Sequence, residues 1–254
     1  GQDIDGEAAN DQSGYSVSMS DDGNIVAVGA RYNDGNGTDA GHVRVFENIN
    51  GTWVQLGQDI NGLSGDHSGV YTSISSDGSI VAIGANFHDV YRGTVRIYEY
   101  NGTSWVQLGS DIDGEGISDY SGDVTLSSDG HTAAIGAVSN SGNGAHSGHV
   151  RVYNYNGSSW VQLGQDIDGN NTNDWLGREV SLSSDGNIVA VSAIGPGAGN
   201  YLTVGKTFKE IQKHFGEQAL DKVFFHAHGT STPQNRESES HIISSSAQAF
   251  NIKN

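Results

Sequence analysis

One ten-residue phrase is written three times in this chain: WVQLGQDING from Trp53, WVQLGSDIDG from Trp105 and WVQLGQDIDG from Trp160. Its second half, GQDIDG, also stands at Gly1. Around it a whole unit recurs: an acidic linker, a Gly, an alternating Ser/Val run, an Asp-Gly pair and a run such as NIVAVGA. Repeat starts at Gly1, Gly57, Gly109 and Gly164 give periods of 56, 52 and 55 residues. Such periods restrict the fold to repeat architectures, in which each unit buries its apolar faces only against its neighbours.

Each unit reads as four short strands. Tyr15 to Met19 alternates apolar and small polar residues, the period-2 signature of a strand. An Asp-Gly pair follows, ending in Gly23, Gly78, Gly130 or Gly186, and predicts a type I′ hairpin with positive φ at both central residues. The second strand is nearly all small and apolar, as in Ile25 to Val28, so both its faces are expected to be covered. After a Gly/Asn-rich loop of variable length come a third strand (Val43 to Phe46, Val95 to Tyr98, Val150 to Tyr153), an Asn-Gly turn and a fourth strand carrying Trp53, Trp105 or Trp160. Four antiparallel strands in about 50 residues make a propeller blade.

The run SGYSVSMSDDGNIVAVGA followed by GHVRVF resembles the FG-GAP type of repeat, the blade of integrin-α-like and many bacterial surface β-propellers. The resemblance covers roughly residues 1–195 and implies an all-β, incomplete β-propeller with units at 1–56, 57–108, 109–163 and, in part, 164–195. The fourth unit stops after Ala193, and three and a half blades do not close a ring, so strand edges are expected to be exposed and open to self-association. The family's Asp-rich calcium loop between the first two strands is not carried over to Asp22, Asp77, Asp129 or Asp185, where the turn is too short of oxygens.

Residues 196–200 form a junction, beyond which the composition changes. Residues 1–200 contain no Lys and six Arg against 25 acids, whereas residues 201–254 carry five Lys and one Arg against five acids. Phe208, Ile211, Phe215 and Ala219 recur at helical spacing. The strand Val223 to Phe225 then enters HAHGTSTP, His226 to Pro233. Helix, strand and motif in this order resemble the carboxyl-terminal half of a β-ketoacyl synthase, a short α/β thiolase-like fragment over 201–254. The resemblance implies that His228 matches a catalytic His, with Thr230, Thr232 and Glu239 at motif positions. An Arg, Arg236, replaces the Asp commonly found there. The chain has no Cys, so the acyl-carrying nucleophile is missing, as is the second His motif, and no activity is expected of the fragment.

The net charge of −18 sets the acidic part against nucleic acid and anionic membrane surfaces. No apolar run approaches the length of a membrane span. The acids recur at fixed places: Asp3, Asp5, Glu7 and Asp11; Asp111, Asp113, Glu115 and Asp119; and, less completely, Asp166, Asp168 and Asp174. Oxygens at alternate positions around a Gly suit calcium, while tight turns between blades produce the same pattern without a metal. The repeated Trp is expected to pack between blades; Trp175 stands outside that pattern as an exposed aromatic. Arg44, Arg96 and Arg151 are expected to pair with acids, the alternative being an anion-binding ring.

The sequence therefore predicts a non-catalytic propeller segment of a secreted or surface bacterial protein, binding protein or glycan through its loops. The alternatives are a ketosynthase fragment of cytoplasmic fatty-acid or polyketide synthesis and a calcium-stabilised structural repeat. Otherwise no cofactor is expected.

Overall fold

The computed structural model describes residues 2–196, and the ketosynthase-like stretch 201–254 lies outside them. Three five-stranded sheets follow one another. The first holds β1 (Ser13–Met19), β2 (Ile25–Ala30), β3 (His42–Ile49), β4 (Thr52–Gln55) and β5 (Ile60–Asn61). The second holds β6 (Tyr71–Ile74), β7 (Ile80–Ala85), β8 (Thr94–Tyr100), β9 (Trp105–Gln107) and β10 (Ile112–Asp113). The third holds β11 (Ser121–Leu126), β12 (Thr132–Ala137), β13 (His149–Tyr155), β14 (Trp160–Gln162) and β15 (Ile167–Asp168). A two-stranded sheet, β16 (Leu176–Leu182) and β17 (Val189–Ala193), completes the described part. These are three blades and half of a fourth, an incomplete β-propeller.

The repeated phrase contributes more than one strand. β4 and β5 both pair with β3, at Phe46 to Ile49 and at His42 and Val43 respectively, so the outer edge of the blade is one line broken at Leu56 to Asp59. The break exposes the carbonyl of Leu56, to which Trp105 Nε1 of the next blade donates at 2.7 Å; Trp160 donates to Leu108 in the same way. The Trp thus stitches each blade to the one before it.

The core lies between blades. Ala27, Val43 and Val45 of the first sheet pack with Ile74, Val81, Ile83 and Trp105 of the second. The neighbours Ile80 and Ala82 point the other way, to Val124, Leu126 and Ile135 of the third. Strand alternation thereby gives the second strand of each blade two buried faces, which is why its run is continuously apolar. Near the axis the backbones almost touch. A Cβ on Gly29, Gly84 or Gly136 would meet the carbonyl oxygen of Gly69, Gly122 or Gly177 at 2.3, 2.1 and 2.1 Å, so only glycine fits there.

The Asp-Gly turns differ from the expected type I′ form. Gly23, Gly78, Gly130 and Gly186 have positive φ, but the Asp before each does not. Gly23 N–H instead closes on the Ser20 carbonyl, and Ser20 N–H bonds the Ile25 carbonyl, making a longer loop. The Asp22 carboxylate is the reason: it accepts bonds from Ser20 Oγ and from the Asn24 N–H, taking over donors that a two-residue turn would leave outside. The same Ser hydroxyl accepts the N–H of Ile25. The turns are linked from blade to blade by Asp21, Ser76 and Ser128 N–H groups donating to Ser76, Ser128 and Ser184 carbonyls.

Candidate ligand-binding face

The loops after the second strands and the acidic linkers meet at one end of the propeller. Residues Gln12, His67, Tyr120 and Trp175 occupy the same place in successive repeats, just before the innermost strand, and all four have left-handed backbone. Two of them, His67 and Tyr120, belong to a row of rings. Arg31 lies over Tyr15 at 3.8 Å and over Tyr32 at 4.5 Å. Tyr32 meets His67 edge-on at 4.9 Å, His67 stacks on Phe87 at 4.1 Å, and Tyr91 stacks on Tyr120 at 5.3 Å, with Phe87 edge-on to both tyrosines. Burial lowers the pKa of His67 and so disfavours protonation of its ring within the stack. Trp175 is exposed beyond the row. Where Tyr32 meets His67, an open cleft of about 410 Å³ is lined by these two rings and by Asn10, Asp11, Asp34 and Asp39.

The loop that carries Tyr91 is strained. Asp89, Val90 and Tyr91 have φ of 44°, 56° and 63° within the short helical segment His88–Tyr91, a left-handed turn that a β-branched Val rarely adopts. Its ends are fixed by the Arg92 N–H on the Asp89 carbonyl and the Gly93 N–H on the His88 carbonyl. The turn holds Tyr91 over Tyr120.

The acids of any one linker go to different partners: Glu7, Glu115 and Asp166 turn toward buried histidines, and the others do not gather with them. Asp3 is exposed. Asp5 and Asp113 offer backbone carbonyls to Arg44 and Arg151, each at 2.7 Å. Asp11, Asp119 and Asp174 are buried. Asp11 and Asp119 accept Nδ2–H bonds from Asn33 and Asn140, and Asp174 accepts the Asn170 and Asn171 backbone N–H groups. In the second blade Asp66 takes the corresponding place, between His88 and Arg96, each at 2.8 Å. Asp111 pairs with Arg96 Nε at 2.8 Å. Burial opposes ionisation of Asp111, but the bonds from Arg96 and Gln107 outweigh it and lower its pKa. Asp168 of β15 has its pKa raised, by partial desolvation first and by the neighbouring carboxylates of Asp166 and Glu115, against a lowering by His149. Trp105 is buried, while Trp53 and Trp160 are half-buried.

Two residues that sequence reasoning passed over stand among these acids. His42 and His149 open β3 and β13, each 1% exposed. Glu7 and Asp59 flank His42; Glu115 and Asp166 flank His149. The legible signal is in the repeats: the second blade replaces the His by Thr94 and the linker Glu by Leu63 together.

On the inner strands one carboxyl is out of the ordinary. Asp123 of β11 is buried, and desolvation, with a contribution from Glu179, pushes its pKa up to about 8. The Val180 N–H and Arg178 act in the opposite direction without reversing the shift. Tyr71 of β6, also raised by burial, reaches about 12.

Comparisons with known proteins agree with the fold. The family model of the FG-GAP repeat matches residues 5–46. The periplasmic gluconolactonase PpgL of Pseudomonas aeruginosa superposes with a TM-score of 0.50 at 17% identity, over 70% of this chain and 50% of that one. The β-propeller domain of the Trilobed protease of Pyrococcus furiosus gives 0.39 at 8% identity, over 60% and 41%. At 17% identity the likeness to PpgL is one of fold alone. The chain is also 43% identical over 96 residues to the β-ketoacyl-[acyl-carrier-protein] synthase FabY of Pseudomonas aeruginosa, which is 36% of this chain and 13% of that protein. It thus spans about half the length of PpgL and a small part of FabY.

Proposed function

We propose that the propeller is a non-catalytic binding module of a secreted or surface-exposed bacterial protein, taking a glycan on the face that carries the aromatic row. The observation behind this reading is the row itself, continuous from Tyr15 through Tyr32, His67 and Phe87 to Tyr91 and Tyr120, beside a cleft lined by carboxylates and an amide. Stacked rings offer flat apolar surface to a sugar face, while Asn10, Asp34 and Asp39 offer hydrogen-bond partners to hydroxyls. The strained turn under Tyr91 fits a site formed before its ligand arrives. The charge of −18 selects neutral or cationic ligands.

The test is a glycan array followed by titration calorimetry with the full chain. Tyr91→Ala and Trp175→Ala should each weaken binding of a captured neutral oligosaccharide about tenfold or more, on the scale of a lost stacking contact. Absence of any captured glycan, with binding of a protein ligand that the same variants weaken, would move the reading to protein recognition. Insensitivity of every ligand to these variants would discard the face.

A second reading rests on the FabY match and on the HAHGTSTP segment. It makes residues 201–254 a relic of a ketosynthase joined to the propeller and inactive without Cys. A single-molecule DNA read across codons 190–205 tests it: the two parts on one molecule in frame support a natural fusion, and no spanning molecule makes the junction an artefact.

A further inference from the structure

The first and third blades carry the same trio of side chains. In the first, His42 Nδ1 lies 3.9 Å from Glu7 Oε2 and 4.0 Å from Asp59 Oδ2. In the third, His149 Nδ1 lies 3.8 Å from Glu115 Oε2 and 3.6 Å from Asp166 Oδ2. The nitrogen and oxygens of each trio lie within 4.8 Å of one another. Both Nδ1 atoms are buried and have no hydrogen-bond partner, although carboxylates face them on two sides. The separations exceed a hydrogen bond, which ends near ~3.2 Å for N and O. They approach the separation of two ligands on one ion, roughly 3.3–3.6 Å for metal–ligand bonds of about 2.0–2.2 Å in a tetrahedron.

The fold builds each trio deliberately. The Glu comes from the linker that opens the repeat, the His from the first residue of the third strand, and the Asp from the next linker, which β5 or β15 pairs back onto that strand. The Asp is aimed by the Gln of the repeated phrase: Gln55 Nε2 donates to Asp59 Oδ1 and Gln162 Nε2 to Asp166 Oδ1, both at 2.7 Å, leaving Oδ2 toward the His.

The second blade is the internal control. Its Asp111 is held by Gln107 at the same 2.7 Å, but Thr94 and Leu63 stand where the others have His and Glu. There the free Asp111 Oδ2 turns to Arg96 Nε at 2.8 Å. In the first and third blades the equivalent Nε atoms of Arg44 and Arg151 are buried without a partner. The Asp in those blades forgoes a charge-assisted bond that its fold makes elsewhere, and His and Glu appear and vanish together.

We infer that Glu7, His42 and Asp59, and likewise Glu115, His149 and Asp166, each bind one divalent transition-metal cation of the zinc class. A neutral imidazole with two carboxylates suits such an ion, whereas calcium and magnesium prefer oxygen alone. Exposed Glu7 and Glu115 give the ion a way in, and water completes its shell. The site ties a linker to a strand and to the following linker, so the ion staples adjacent repeats. It stands independently of the glycan reading, which uses other side chains.

The full chain, freed of metal by chelator and dialysed, is titrated with Zn²⁺ by calorimetry and with Co²⁺ by visible absorption. Two equivalents are expected per chain, with d–d bands of a nitrogen–oxygen site and no competition from millimolar Ca²⁺. His42→Thr and His149→Thr, which copy Thr94 of the second blade, should each remove one equivalent while leaving the circular dichroism spectrum unchanged. The double variant should bind none. Failure of the parent chain to bind either ion overturns the inference. So does retention of both equivalents by the folded double variant, which would place binding elsewhere, for instance at His226 and His228.

Discussion

Asp123 is a carboxyl that folding holds in its protonated form. Its pKa rises from the ordinary carboxylate range to about 8 chiefly because burial penalises the charge. The folded chain therefore binds a proton that the unfolded chain releases. The stabilisation is full below pH 4 and is lost as pH rises toward 8, on the order of a few kcal/mol in total. Asp123→Asn should flatten this decline: its melting temperature should match the parent at pH 4 and exceed it by several degrees at pH 8. Equal pH profiles for the two proteins would remove Asp123 as the cause. The repeated Trp offers a second comparison. Trp105 is 4% exposed and bonded to Leu56, so Trp105→Ala should cost about 3–5 kcal/mol, whereas half-buried Trp53, with no earlier blade beneath it among the described residues, should cost less than half of that. Urea unfolding of both variants checks the ratio. Residues of this kind were only partly legible. Position in a repeat marks a Trp as an inter-blade residue, but the trio around His42 forms through strand pairing between segments far apart in sequence, which no local pattern in GHVRVF reveals.

At the scale of elements, period and alternation were enough to place the strands, because a second strand buried on both faces has no other way to read than as an apolar run. Turns were less legible. An Asp-Gly pair predicts a tight hairpin when only backbone preference is weighed; here the Asp carboxylate caps the chain and lengthens the loop. Nor did the acidic linker announce β5, β10 and β15, since two residues paired to an edge leave no periodicity to detect. The left-handed turn at Asp89 to Tyr91 was invisible for a related reason: nothing in HDVY asks for positive φ, and it is the packing of Tyr91 on Tyr120 and Phe87 that goes with it. Val90→Gly should relieve that strain. A left-handed β-branched residue costs roughly 1–2 kcal/mol, part of which the greater chain entropy of Gly offsets, so a net gain of about 0.5–1 kcal/mol is expected in thermal or urea unfolding. A loss of stability would mean that the turn is not strained.

For the whole molecule, the decisive comparison is between equivalent residues in different blades. Val124 and Leu126 of β11 are buried against the second blade, and Ile74 of β6 against the first. Their counterparts on β1, Val17 and Met19, are 63% and 54% exposed, with Tyr15 beside them. The difference is not one of sequence pattern, since the alternation is the same; it is that no blade precedes the first among the described residues. At the opposite end the half blade of β16 and β17 has no third strand in the described part. A blade face with bulky apolar side chains and an unpaired strand edge are complementary requirements, and each is a liability when left in water. Two copies of three and a half blades add to seven, a common propeller size. The full chain should therefore sediment as a concentration-dependent dimer. Val17→Asp with Met19→Asp should return it to a monomer without changing the circular dichroism spectrum, because both side chains already face solvent in the single chain. A monomer at every concentration in the parent protein would show that the open faces are closed by other means, and a dimer that survives the double substitution would place the contact away from β1.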